Sequence, residues 1–286
     1  MKVNYLKNFL FFFPLLALLG ASLEVSNSST SARAATKTTS TSNIAQNFAP
    51  FNYDKYAIVL SQYVNDRGLV NYAELKQNRQ NLDEFNAAIG AVSPAAYQSW
   101  TDNAKIAFLI NAYNSLTLES IIDNYPTKSI RNIPGVWKIR KFNVAGQQIT
   151  LDHIEHQILR KEFDQPKIHV ALVCAANSCP FLRREPFTAE KLEAQLDDQS
   201  QTFLAQTNNF RIDRPNNRVY LSSIFKWFGE DFEPTYGQSE NIPGLNNKET
   251  AVINYVNQYL SPEERQYLMQ GGYDVKYSNY DWSLNE

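Results

Sequence analysis

Residues 101–126, TDNAKIAFLINAYNSLTLESIIDNYP, constrain the fold more than any other stretch. Thr101 is suited to cap a helix start, and Pro126 stops the helix by Tyr125. Between them Ile106, Phe108, Leu109, Ile110, Tyr113, Leu116, Leu118, Ile121 and Ile122 surround the axis instead of forming one stripe. A helix that is apolar nearly all round has to be covered on all sides, so this one is expected to run through the centre of a domain. Asn111 and Asn114 fall inside it and need partners there, since an unpaired buried amide costs about 1–3 kcal/mol. Either they tie loops to the helix, or one orients a catalytic group or donates to an oxyanion.

Amphipathic spacing at Tyr56, Leu60, Tyr63 and Val64 predicts a helix ahead of the turn Asp66-Arg67-Gly68, and Leu75, Leu82 and Phe85 predict a second. Two short extended runs around Ala145-Gly146 form a hairpin signal, as does FRIDRPNNRVYLSS with its turn at Pro215-Asn216-Asn217. Helical spacing recurs at Leu192, Leu196 and Phe203 within 187–206, and a last long helix is expected over 250–260. The aromatic-rich end, 273–284, is expected to dock. Together these segments predict an α+β single domain: a central buried helix, several surrounding helices and a small, mostly antiparallel sheet.

Ahead of that domain, Lys2 and Lys7 precede an apolar run that is short for a bilayer and exits through Gly20, Ala21 and Ser22. This is the pattern of a secretory signal. Residues 1–22 are therefore expected to be a signal peptide, 23–46 a disordered leader rich in Ser, Thr and Ala, and 47–286 the domain. The expected destination is outside the cytoplasm, in a periplasm, a lumen or the medium, with no membrane attachment after cleavage. With 27 basic and 29 acidic groups and no basic stripe, a nucleic-acid partner is not expected.

Chemistry concentrates in two short stretches. In LDHIEHQILR the apolar positions Leu151, Ile154, Ile158 and Leu159 form a core stripe whose remaining position is Glu155, and His156 lies at its edge. A carboxylate there needs a buried cation or a functional role. In KIHVALVCAANSCPFLRR a strand is predicted up to Cys174, with His169 and Cys174 on opposite faces. Pro180 suits a first helical position, which puts Cys179 at a helix start where its thiol would ionise readily, helped by Arg183 or Arg184. Within IFKWFGEDF, Lys226, Trp227 and Asp231 are candidate cleft residues.

The chain resembles the uncharacterised family known as domain of unknown function 547. The motifs that carry the resemblance are AFLINAYNSLTLESIIDNYP, LDHIEHQILR, IHVALVCAANSCPFLR, LSSIFKWFGEDF and YDWSLN. The resemblance implies a rearranged papain-like fold, with His before Cys, and similarity to cysteine hydrolases acting on glutathione-like thiol peptides. The expected function is an exported cysteine hydrolase in which Cys179 attacks a peptide or amide bond and His156 moves the proton. Glu155 or Asn111 would orient the base, His169 stands in reserve, and Asn111, Arg183 and Lys226 contact substrate. No cofactor or metal is expected, although His153, Glu155 and His156 were weighed as a metal set. The alternatives from other classes are a Cys174–Cys179 thiol-redox pair and a non-catalytic binding protein.

Overall fold

The computed structural model describes residues 50–286, so the expected signal peptide and leader lie outside the described residues. The central helix forms as the sequence predicts. It is α5, and the helices before it are α1 (Asp54–Tyr63), α2 (Tyr72–Gln77), α3 (Gln80–Ala91) and α4 (Pro94–Ser99). Helix α5 spans Asp102–Asp123, starts where the Thr101 hydroxyl accepts from the Ala104 N–H, and is buried at almost every position from Ile106 to Ile122. The expected second helix is two, α2 with Leu75 and α3 with Leu82 and Phe85. Asn71 and Ser93 open α2 and α4 as side-chain caps, and Pro94 takes the first position of α4.

A hairpin follows, β1 (Lys141–Val144) with β2 (Gln147–Thr150), paired antiparallel so that Phe142 faces Ile149. Thr150 caps the next segment, which is α6 (Leu151–His153), a π-helical stretch (Ile154–Leu159) and α7 (Arg160–Glu162). Further along come α8 (Leu192–Leu204), β3 (Phe210–Asp213), β4 (Arg218–Leu221), α9 (Ser223–Phe228), α10 (Glu233–Tyr236), α11 (Asn247–Val256), α12 (Pro262–Gln270) and β5 (Asp274–Tyr277). Strand β5 lies parallel to β4, so the structure has two small sheets, and only the first is wholly antiparallel. Helix α12 was not expected. Ser261 and Glu264 start it with a reciprocal capping box, just beyond the helix expected over 250–260, which forms as α11 and a short 3-10 turn.

The described chain packs as one α+β unit around two adjoining apolar clusters. The first surrounds α5; the second surrounds α11, with Phe203, Phe225, Phe232 and Tyr255 among its largest members. Segment 166–173 runs along their seam, with Val170 in the second cluster and Ala171, Leu172 and Val173 in the first.

That segment corrects two expectations. Residues Pro166–Val170 form a 3-10 helix, not a strand, and the chain continues through turns. Its apolar run is buried because cores lie on both sides, a context that periodicity does not separate from a buried strand. Its backbone groups are satisfied by a side chain: Asn114 donates to the Ala171 carbonyl (3.0 Å) and accepts from the Val173 N–H (2.8 Å). Asn111 does the same one turn earlier, donating to the Phe187 carbonyl (2.7 Å) and accepting from its N–H (3.0 Å). Both amides tie loops to the central helix. The second correction concerns Pro180, which starts no helix; the next regular helix begins at Leu192. Phe181 and Leu182 instead press on Gly68 (φ +69°), where a Cβ would sit 2.7 Å from their backbone atoms.

Replacing Asn114 by Ala leaves two buried backbone groups unpaired, so urea unfolding should show a loss of about 2–4 kcal/mol. An unchanged midpoint would mean that the 171–173 segment is not held by this amide.

Candidate functional site

At the seam between the two clusters a cleft of about 250 Å³ opens, lined by residues from both. Its wall includes Glu155, His156, His169, Cys174 and Trp227, all singled out from sequence. The cleft is small, near or below the lower end of ordinary ligand pockets at roughly 300 Å³, and it is rich in aromatic rings. Its rings are Trp137, Trp282, Tyr280, Tyr113, Phe228 and Trp227, the last itself 41 % exposed.

Cys174 and Cys179 are joined by a disulfide with their Cα atoms 6.1 Å apart, within the ordinary span. The bond is asymmetric in its surroundings. Cys174 is half-buried on the cleft wall, whereas Cys179 is 2 % exposed and belongs to the first apolar cluster. The Cys179 sulfur accepts from the N–H of Cys174 at 3.1 Å and of Ala176 at 3.3 Å. The Tyr280 oxygen is 3.2 Å from both sulfurs, and since neither carries hydrogen, the phenol is the donor. Burial, with the charge of Glu155 adding, pushes the Tyr280 hydroxyl up well above its usual range, which keeps that proton in place. The donors that the sequence assigned to a helix start are thus supplied by a loop and a distant tyrosine.

This loop is folded under strain and held from outside. Ala175 has φ 59°, a left-handed conformation that costs a non-glycine residue roughly 1–2 kcal/mol. The chain's end fixes it: Ala176 bridges to Leu284, the Asn177 N–H donates to the Ser283 carbonyl, and the Asn285 N–H donates to the Ala175 carbonyl. Asn285 is anchored in turn by the Tyr72 hydroxyl, which donates to its side-chain oxygen. The same docking carries Tyr280 and Trp282 to the cleft. The terminal segment is docked, as its composition predicts.

Glu155 and His156 both reach the cleft because their stretch is π-helical, with the Arg160 N–H donating to the carbonyl five residues back, at Glu155. Such widened turns frequently occur at functional sites. Glu155 is partly buried and forms no salt bridge among the described residues; the Tyr113 hydroxyl hydrogen-bonds it, and Arg160 feels its charge from farther away. The Glu155 charge helps burial push the Tyr113 phenol up.

One guanidinium organises both imidazoles. Arg160 grips Asp231 with two nitrogens (2.5 and 2.9 Å), lies over the Phe228 ring at 5.0 Å, and donates to His156 Nδ1 at 3.2 Å. Arginine has no acceptor, so Nδ1 must accept, and the neutral His156 ring carries its proton on Nε2. Asp231 also holds His169, whose Nε2 is 2.7 Å away and whose ring stacks on Phe228 at 4.4 Å. Burial raises the Asp231 carboxyl, but its hydrogen bonds from His169 and Arg160 win, and it is lowered to about 2. Asp231 is therefore an acceptor, His169 Nε2 is its donor, and Nδ1 is the nitrogen left to take a proton.

Three candidates fall elsewhere. Asn111 is spent on Phe187; Arg183 binds Glu185 (2.9 Å) and Asp198 on the surface; Lys226 lies over the Tyr277 ring at 6.0 Å and is not on the cleft wall. Each stands beside a site residue in sequence without sharing its direction. Conversely Tyr113, Trp137, Tyr280 and Trp282 were not proposed as site residues. Only the docked aromatic end pointed toward the last two. Among the described residues no group of three or more His, Cys, Asp or Glu could hold a metal ion, and no helix is long and apolar enough to cross a membrane.

Because the Asp231 carboxyl is lowered from 3.8 to about 2, its stabilising contribution is complete above about pH 4 and disappears as pH falls toward 2. Urea midpoints measured across that window should fall more steeply for the wild type than for Asp231→Asn, which lacks the titrating group. Parallel acid limbs would contradict the pairing.

Residues 97–204 match the model of the family described as "Protein of unknown function, DUF547". That span contains α5, the π-helical stretch and both cysteines. No curated protein and no solved structure matches the chain.

Proposed function

We propose that the cleft performs thiol chemistry on a small thiol or thiol peptide, with the Cys174–Cys179 disulfide as the reacting group. The observation that supports this is the asymmetry of the bond: one sulfur on the cleft wall, the other buried among three donors. A ligand thiolate attacks Cys174 Sγ, a ligand–Cys174 bond forms, the Cys174–Cys179 bond breaks, and the electron pair leaves on Cys179. The Cys179 thiolate then receives the two N–H groups and the Tyr280 O–H, and hydrogen bonds to a charged group contribute about 1.5–3 kcal/mol each. A second ligand thiolate attacks the ligand sulfur of the mixed disulfide, releasing the ligand disulfide and the Cys174 thiolate. Two ligand thiols are oxidised and one protein disulfide is reduced. His169, oriented by Asp231, takes the proton of the incoming thiol; His156, bonded through Nδ1 to Arg160, offers an N–H. The cycle closes by reverse exchange with an oxidised small-molecule or protein disulfide, which takes up the two electrons and two protons of the dithiol as the Cys174–Cys179 bond re-forms, as an oxidising compartment, the destination proposed from the leader, would allow.

The same donors favour a second reading in the reduced protein. An exported cysteine hydrolase of rearranged papain-like type would use the stabilised Cys179 thiolate to attack a peptide or amide bond in a thiol peptide. An imidazole of the cleft would return the proton to the leaving amine. Glutathione-like peptides are the proposed substrates, and opening of the disulfide is required first.

Reduced variants treated with glutathione disulfide test the roles of the two sulfurs. Cys179→Ser should accumulate a mixed disulfide on Cys174, while Cys174→Ser should form its adduct on the buried Cys179 at least about tenfold more slowly. Equal rates would overturn the assignment of Cys174 as the attacked sulfur. Release of an amino acid from glutathione by reduced wild type, but not by Cys179→Ala, would establish the hydrolase instead.

A further inference from the structure

The cleft's charges and rings point to what the ligand carries besides sulfur. Glu155 contributes a partly buried carboxylate that forms no salt bridge among the described residues, and Asp152 adds a second carboxylate to the same wall. The Tyr113 hydroxyl hydrogen-bonds Glu155, and Arg160 feels its charge from beyond salt-bridge distance, but that guanidinium is bound by Asp231 and covered by Phe228. Lys138, 79 % exposed in its side chain, stands 3.9 Å from Asp152. Two carboxylates on one wall with no direct ion pair to Glu155 leave a place for a cationic ligand.

The rings favour the same sign of charge. Trp227, Tyr280 and Trp282 form a contiguous cluster with centroids 4.6–6.1 Å apart, and Trp137 meets Trp282 at 6.2 Å. Ring faces attract cations, and this wall already holds one at its edge, Arg131 over Trp282 at 5.3 Å. Aromatic faces beside a carboxylate are an ordinary means of recognising an organic ammonium group. A carboxylate ligand would meet Glu155 and Asp152 with like charge.

We propose that the ligand's second anchor is a protonated amine held by Glu155 and the aromatic wall, so that the cleft takes an aminothiol or a thiol peptide with an ammonium group near its sulfur. This rests on the thiol chemistry proposed above, yet recognition of the amine is separable from reaction at sulfur. The cleft volume of about 250 Å³ limits the bound portion to a small moiety.

Thioethers that cannot exchange separate the two. Tryptophan fluorescence and calorimetry would follow binding of 2-(methylthio)ethylamine and of methylthioacetate to the oxidised protein. The amine should bind at least about tenfold more tightly than the carboxylate, and Glu155→Gln should lose about tenfold in amine affinity. The Cys174→Ser/Cys179→Ser double variant should retain amine binding, since recognition does not use the sulfurs. Equal or tighter binding of methylthioacetate, or unaltered amine affinity in Glu155→Gln with circular dichroism confirming its fold, would overturn the proposal. Amine selectivity without any mixed disulfide on Cys174 would refute the thiol chemistry alone and leave the ammonium site standing.

Discussion

The pairing of the 174–179 loop with the chain's last residues is the constraint on which the rest of the site depends. Ala175, Ala176 and Asn177 each bond to the 283–285 segment, and Ser178 exchanges bonds with Asp281. These contacts hold Ala175 in a conformation it would not choose and aim two N–H groups at one sulfur. They also deliver Tyr280 to that sulfur from about a hundred residues away in the chain. The donors around the Cys179 sulfur thus come from loop backbone and a buried phenol, with no helix start involved.

On the same cleft wall, the π-helical stretch and Arg160 position Glu155 and the two imidazoles. The widened turn lets consecutive residues, Glu155 and His156, share the cleft. Arg160 then fixes one imidazole directly and the other through Asp231, giving the two rings different free nitrogens. The hydrogen-bonding arrangement of both rings is thus set around a single guanidinium.

The parts legible in the sequence were those governed by local pattern. Helix α5 announced itself by being apolar all round, the hairpins by their turns, and Glu155 by interrupting a core stripe. The 166–173 segment misled because burial between two clusters imitates a buried strand, and the side chain of Asn114 replaced the ladder a strand would need. Cys179 was expected as a free thiol ionised at a helix start; it is instead buried, bonded to Cys174, and followed by a turn. Arg183 and Lys226 were nominated by proximity in sequence, which says nothing of direction in a loop or on a helix flank, and Asn111 as a buried amide, whose partner proved to be the Phe187 backbone. Tyr113, Trp137 and Trp282 converge only through tertiary packing, beyond the reach of any spacing rule.

The account depends on Cys174 and Cys179 being bonded to each other in the resting protein and on that bond opening from the cleft side. Intact-mass measurement of unreduced, denatured protein in the presence of an alkylating reagent tests it most directly. The predicted result is a mass two hydrogens short of the dithiol with no alkyl group added, and two alkyl groups after brief treatment with a small thiol. Alkylation of both cysteines without any reductant would contradict it.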